Sequence, residues 1–362
     1  MRERGILSQF DYFLFLAVLF LAFLGVLGIH SAGAPVQESG IFLRQLVWIG
    51  LGVGVCLMIM SIDYHFLADH AFLFYFLAIA LLVGILFFGT EINSSRSWFT
   101  IGDLRFQPSE IAKIALILAL TRYLDGMSEN FLRPKQILIL AFVTILPIVL
   151  IVAQGDLGTA IMYIPIFVGI TIVAGLKGRL LLGLVVLLVS LVPFGWLVLK
   201  DYQKQRILVT LDPELDPQGV GYQTRQSQIA IGSGGVFGKG LGQGLQSQLG
   251  FVPEIRTDFI FALLAEETGF VGAVAILMLY LFVLMRLLRI AETARDRVGI
   301  LIVTGIASFT FGHVAVNIGM TLGVLPPIGI PLPLLSYGGS STVTTFAAIG
   351  LALNVYQRRF VH

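Results

Sequence analysis

Apolar runs of about twenty residues recur about ten times along this chain, and that recurrence dictates the fold class. A helix of this length closes its own backbone hydrogen bonds and can therefore cross a lipid bilayer. The runs fall at 12–30, 42–61, 70–89, 108–124, 137–153, 158–175, 180–199, 260–285, 298–320 and 341–357. The run at 108–124 is the most polar, because it opens QPSEIAK. Charged residues make up only 12% of the 362 positions, against about 25% in soluble domains. The expectation is an all-α polytopic membrane protein of about ten transmembrane helices, forming one membrane domain over 1–362.

The first run follows Arg2 and Arg4 and precedes Ala32-Gly33-Ala34, which resembles a signal-peptide cleavage site. Its length argues instead for an uncleaved first helix. The single cysteine, Cys56, excludes an internal disulfide framework and a CxxC metal site. The five histidines are scattered, without metal-ligand spacing. Nothing points to a nucleic-acid partner.

An even number of spans puts both termini on one side, and basic residues choose the side. With the termini in the cytoplasm, the inner segments hold thirteen of the 23 lysines and arginines. The short outer segments then hold Arg44, Arg96 and Arg105. The expectation is a multi-pass protein with both termini cytoplasmic. A long loop at 200–258, between helices 7 and 8, then faces outward. Loops of that length tend to carry function.

Five stretches carry candidate chemistry. The glycine-rich IGSGGVFGKGLGQG (231–244) suggests a phosphate cradle but fails the P-loop pattern. Ser233 stands where the first glycine belongs, and Gly240 follows Lys239 where Ser or Thr is required. It is either a tightly turning loop or a backbone surface lying close to a polar chain. Glu110 and Lys113, three apart, share a helix face and form a candidate intramembrane charge pair. Pro108 at the first helical position and Glu110 at the third also fit simple dipole complementation. Asp156 in AQGDLGTA stands where a helix N-cap is expected, or lines a cavity.

Four prolines in GVLPPIGIPLPLLSYGGSSTV (323–343) break helices before Ser336, Tyr337, Gly338, Gly339, Ser340 and Ser341 open a new one. Exposed N–H groups at that membrane edge suit a diphosphate or carboxylate, or are simply capped. Finally, FVPEIRTDFIFALLAEETGF (251–270) places Asp258 where the long loop meets an apolar run. Partial desolvation there raises a carboxyl toward the range of a general base. The alternative is that Thr257 or Asp258 caps the helix. No Ser–His–Asp set accompanies it, so any chemistry would use a carboxylate base.

Together these segments resemble the SEDS family (shape, elongation, division, sporulation) over essentially the whole chain. The resemblance rests on FQPSEIAK, GDLGTA, LDPELDPQGVGYQTRQSQIAIGSGGVFGKG, QSQLGFVPEIRTDFIFALLAEETG and GIPLPLLSYGGSS, in that order. QSQLGFVPE points to the elongation branch rather than the division branch. The resemblance implies a ten-helix peptidoglycan glycosyltransferase of the bacterial cytoplasmic membrane, active on its outer face. Its substrate would be lipid II, an undecaprenyl-diphosphate-linked disaccharide-pentapeptide. The family's essential aspartate falls on Asp258. Its Glu and Lys fall on Glu110 and Lys113, its GDLGTA acid on Asp156, and its SYGGSS on 336–341.

The resemblance further implies a class B penicillin-binding protein as transpeptidase partner and a divalent cation, Mg or Mn. Lys113, Arg96 and Arg105 are candidates for stabilising the diphosphate, the two arginines being otherwise ordinary solvated loop residues. A lipid II flippase and a non-catalytic scaffold for the transpeptidase are the rival functions. The flippase predicts coupling to an ion gradient, and the scaffold predicts a tolerated Asp258→Asn.

Overall fold

The computed structural model describes residues 10–32, 40–92, 95–102, 104–127, 131–183, 186, 190, 196–197, 201–212, 215–216 and 219–359. Helices α1 (Tyr12–Ser31), α2 (Gly40–Ser61), α3 (Tyr64–Asp69) and α4 (Ala71–Phe88) come first. Strands β1 (Thr90–Ile92), β2 (Ser95–Ile101) and β3 (Leu104–Phe106) follow. Next are α5 (Pro108–Asp125), α6 (Pro134–Ala153), α7 (Leu157–Ile161) and α8 (Tyr163–Val173). The chain ends with α9 (Asp201–Leu211), α10 (Val220–Ser233), α11 (Leu245–Gln248), α12 (Ile260–Glu292), α13 (Arg297–Thr321) and α14 (Gly339–Arg358).

Among the described residues six helices, α1, α2, α4, α6, α12 and α13, are long and apolar enough to cross a membrane. Helices α5 and α14 are 18 and 20 residues long but more polar. Most of each is buried against other helices, so neither needs a lipid-facing surface. The expected run at 158–175 is divided at Met162 into α7 and α8. Most of the run expected at 180–199 lies outside the described residues. The chain is therefore a largely helical membrane protein.

Two expectations need correction. The chain is not all-α. β1–β2–β3 form a small antiparallel sheet with Thr90 opposite Trp98 and Phe99 opposite Phe106. The alternating, β-branched and aromatic SRSWFTI is the signal for it, obscured by its polar flanks. The segment 200–258 is also more than a loop, because α9, α10 and α11 occupy much of it.

Helix α13 is the central element, 78% buried over its most apolar window, and packs against α5, α8, α12 and α14. In α6, Pro147 cannot donate to the carbonyl of Val143. The Tyr75 hydroxyl of α4 donates to that carbonyl instead, at 2.7 Å. At the other end of the bundle from the sheet, His65 bridges Asp63 and Asp296, and Arg358 pairs with Asp63.

The glycine-rich run owes its composition to α12. That helix breaks at Gly269, whose φ is +67°. A break frees backbone groups that must be satisfied again inside a membrane. The N–H groups of Lys239 and Gly240 donate to the carbonyls of Glu266 and Glu267. Phe270 and Val271 donate to the carbonyls of Gly235 and Val236. A Cβ on Gly238 would lie 2.1 Å from the Glu267 carbonyl oxygen. The run is thus a backbone surface fitted to this chain's own helix. Gly238→Ala is expected to lower stability by about 2–3 kcal/mol, read as a drop in thermal unfolding temperature in detergent.

Candidate active site

Asp258 stands in a tight turn before α12. Glu254 adopts a left-handed φ of +51°, and its carbonyl accepts from the N–H groups of Thr257, Asp258 and Phe259. The residue that caps α12 is Phe259, without a side-chain bond, so the Asp258 carboxyl is not engaged as a cap. The backbone around it is stitched to two other elements. Asn317 of α13 donates to the carbonyls of Asp258 (2.8 Å) and Ile330 (2.6 Å). The Ser336 hydroxyl donates to the Thr257 carbonyl, and the Tyr337 N–H to the Arg256 carbonyl at 2.8 Å. Ser336 is therefore a buried brace. Asn317 was readable only as a polar residue inside an apolar run.

The Asp258 carboxyl borders a cavity of about 1500 Å³. Burial pushes it up from 3.8 to about 7; the charge of Glu254 adds to the rise and that of Arg206 opposes it. Also on the wall are Glu110, Asp156, Tyr337, Gly338, Gly339, Ser340, Ser341 and Arg105. Folding thus gathers nine of the expected residues round one space. Arg96 is not among them. Its guanidinium donates to the Leu86 carbonyl at 3.2 Å. Three further arginines, Arg44, Arg206 and Arg256, line the cavity. No motif reading singled them out as ligands, because their approach depends on packing.

Asp156 is fully engaged. Its Oδ1 accepts from the Thr159 N–H at 3.0 Å, the N-cap bond the sequence suggests. Its Oδ2 accepts from the Thr159 hydroxyl (2.8 Å) and from Gln107 Nε2 (3.0 Å). The Gln107 N–H donates in turn to Ser340 Oγ at 3.1 Å. These bonds tie the starts of α5, α7 and α14 into one rim.

Glu110 and Lys113 divide differently from expectation. Lys113 is fully buried and is not part of the cavity wall. Its Nζ donates to Glu110 Oε1 at 2.7 Å and to His313 Nε2 at 3.0 Å, and lies 4.8 Å from the Phe309 ring centre. Since His313 Nε2 accepts, its Nδ1 carries the proton and faces the Pro331 carbonyl at 3.3 Å. Lys113 is thus placed to hold Glu110 and His313 in the wall rather than to touch a ligand. Glu110 Oε2 is buried without a hydrogen-bond partner, so the pair leaves one acceptor open.

Among the described residues no three or more His, Cys, Asp or Glu side chains gather to hold a metal ion. No residue is therefore assigned to a Mg or Mn ion.

Apolar spans surrounding an acid-bearing cavity define a polytopic helical membrane protein with a site at one end of its bundle. Residues 11–360 match the sequence profile of the FtsW, RodA and SpoVE group, described as "Cell cycle protein". The chain is 40% identical over 352 residues to the peptidoglycan glycosyltransferase MrdB of Escherichia coli K12, covering 96% of this chain and 94% of the relative. It is 36% identical to the peptidoglycan glycosyltransferase RodA of Treponema pallidum, covering 99% and 100%. Among solved structures, a chain of a peptidoglycan synthase complex said to coordinate polymerization and crosslinking superposes with a TM-score of 0.85. It is 34% identical, with 98% and 99% of the two chains covered. The rod shape determining protein RodA of Thermus thermophilus superposes with a TM-score of 0.74 at 32% identity, covering 98% of each chain. This chain belongs to the FtsW, RodA and SpoVE family.

Proposed function

We propose that this chain is a peptidoglycan glycosyltransferase that polymerises glycan from lipid II during cell-wall elongation. The observation that carries the mechanism is Asp258: a carboxyl raised to about 7, at the wall of a large cavity, where apolar helices begin. Such a base is substantially ionised near neutral pH yet basic enough to take a proton. Asp258 removes the proton from the 4-hydroxyl of the acceptor's N-acetylglucosamine. That oxygen attacks C1 of the donor's N-acetylmuramic acid, and undecaprenyl diphosphate leaves with inversion. Arg44, Arg105, Arg206 and Arg256 are the cavity's cations for the diphosphate. Glu110 Oε2 is an acceptor for a sugar hydroxyl or amide N–H.

The same reading gives the protein a ten-span bundle in the bacterial cytoplasmic membrane, with both termini cytoplasmic and the cavity outward. The ends of α5, α12 and α14 that carry Arg122, Arg286 with Arg289, and Arg358 lie opposite the cavity end along their helices, in keeping with the positive-inside bias. It also pairs the chain with a class B penicillin-binding protein, which fits the structural likeness to a synthase complex.

The test uses the purified full chain, with and without its transpeptidase, on purified lipid II. Long glycan product supports the reading. Movement of labelled lipid II between vesicle leaflets without polymer would replace it with a flippase. Neither activity, with transpeptidase stimulation intact, would leave a scaffold.

A further inference from the structure

The cavity does not end at Asp258. Beside it is a second cavity of about 260 Å³, whose own wall includes Gln223 of α10, Phe259, Met320 of α13 and Pro327. Arg206, Glu254, Asp258 and Gly329 line both spaces. Asp258 therefore stands at their junction. The two spaces differ in chemistry. The large one runs along α2, whose exposed Val47 and Leu51 are part of its wall. It has four arginines, which suits a diphosphate attached to a lipid chain. The small one has one arginine, the carboxyls of Glu254 and Asp258, one side-chain amide and one aromatic ring. An amide both donates to and accepts from hydroxyls, and a guanidinium donates to them. Sites for drug-sized ligands measure about 300–1,000 Å³, so the smaller space takes about one sugar ring.

We propose that this side cavity receives the terminal N-acetylhexosamine of the acceptor and presents its 4-hydroxyl to Asp258, while the donor and its diphosphate occupy the large cavity. The proposal rests on the glycosyl-transfer reading above. Its step balances: the O4 proton goes to Asp258, the O4–C1 bond forms, and the C1–O bond to phosphate breaks with its electron pair leaving on the diphosphate. Nucleophile and leaving group then lie on opposite sides of the reacting carbon, which is the geometry inversion requires. Gln223 is the residue to probe, because it lines the small cavity and not the large one.

Two lipid-linked disaccharides separate the roles. One has the terminal 4-hydroxyl inverted and can donate but not accept. The other has a methylene in place of the anomeric oxygen and can accept but not donate. Coupling one to the other by the full chain with its transpeptidase gives a KM for each. Gln223→Leu is expected to raise the acceptor KM about tenfold, through lost hydrogen bonds, with the donor KM and the melting temperature unchanged. Gln223→Trp, which fills the space, raises it further. Equal rises in both KM values, or an unmoved acceptor KM in both variants, overturn the assignment while wild type still couples. A wild type that couples nothing overturns the glycosyl-transfer reading and this proposal with it.

Discussion

Asp258→Asn is expected to reduce glycan polymerisation by about 10²- to 10⁴-fold, the usual contribution of a positioned general base. The amide keeps the shape of the carboxyl but cannot take the proton. Stability should move the other way. In the folded chain the carboxyl is raised from 3.8 to about 7, so the fold holds that proton more tightly than the unfolded chain does. The group's stabilisation is complete below about pH 4 and is lost as pH rises through about 7. At pH 8 the ionised form costs the fold on the order of a few kcal/mol. The variant should therefore melt higher than wild type at pH 8 while making no long glycan. The wild-type rate should rise with pH and level off above about 7. Glu254→Gln removes a neighbouring negative charge and should shift that rise to lower pH. An active Asp258→Asn, or an acid limb that Glu254→Gln leaves in place, would remove Asp258 as the base.

Lys113→Met is expected to be the most destabilising single change at the site, by about 3–5 kcal/mol. Glu110 is only 2% exposed, and the substitution strands its charge without the 2.7 Å partner. His313 also loses its donor. Pairing Lys113→Met with Glu110→Gln removes both charges and should restore most of the melting temperature. Polymerisation should stay low in the double variant, because the carboxylate facing the cavity is gone. Recovery of activity along with stability would show that the pair only holds the fold. A double-mutant cycle on melting temperature and on rate separates these outcomes.

The two predictions draw on different amounts of sequence information. The proposed role of Asp258 was legible, since an acid at the edge of a long apolar run is expensive unless it is used. The Glu110–Lys113 pair was legible from its spacing on one helix face. The direction in which Lys113 points was not. It depends on His313, 200 positions away, arriving on α13. Arg96 and Arg105 are equivalent in sequence, both in a polar stretch between spans. Arg105, opposite Thr100 in the sheet, reaches the cavity wall, whereas Arg96, near the start of β2, donates to the Leu86 carbonyl. Histidines read as scattered along the chain proved to include one wall residue, because linear spacing carries no record of which helices become neighbours.

The sequence by itself determined that the chain is a helical membrane protein, where most of its long helices begin and end, and which acid stands where a long apolar helix begins. Those properties follow from local periodicity, from caps, and from the cost of unsatisfied backbone in lipid, all of which act over a few turns of one helix. Only the tertiary structure decided that Asp258 escapes capping, that its turn is braced by Asn317 and Ser336, and that it stands between a large cavity and a small one. Those features arise where α10, α12, α13 and the segment after α13 meet. Contacts between distant segments are set by packing and by the need to satisfy a broken helix, and no single stretch of sequence encodes them.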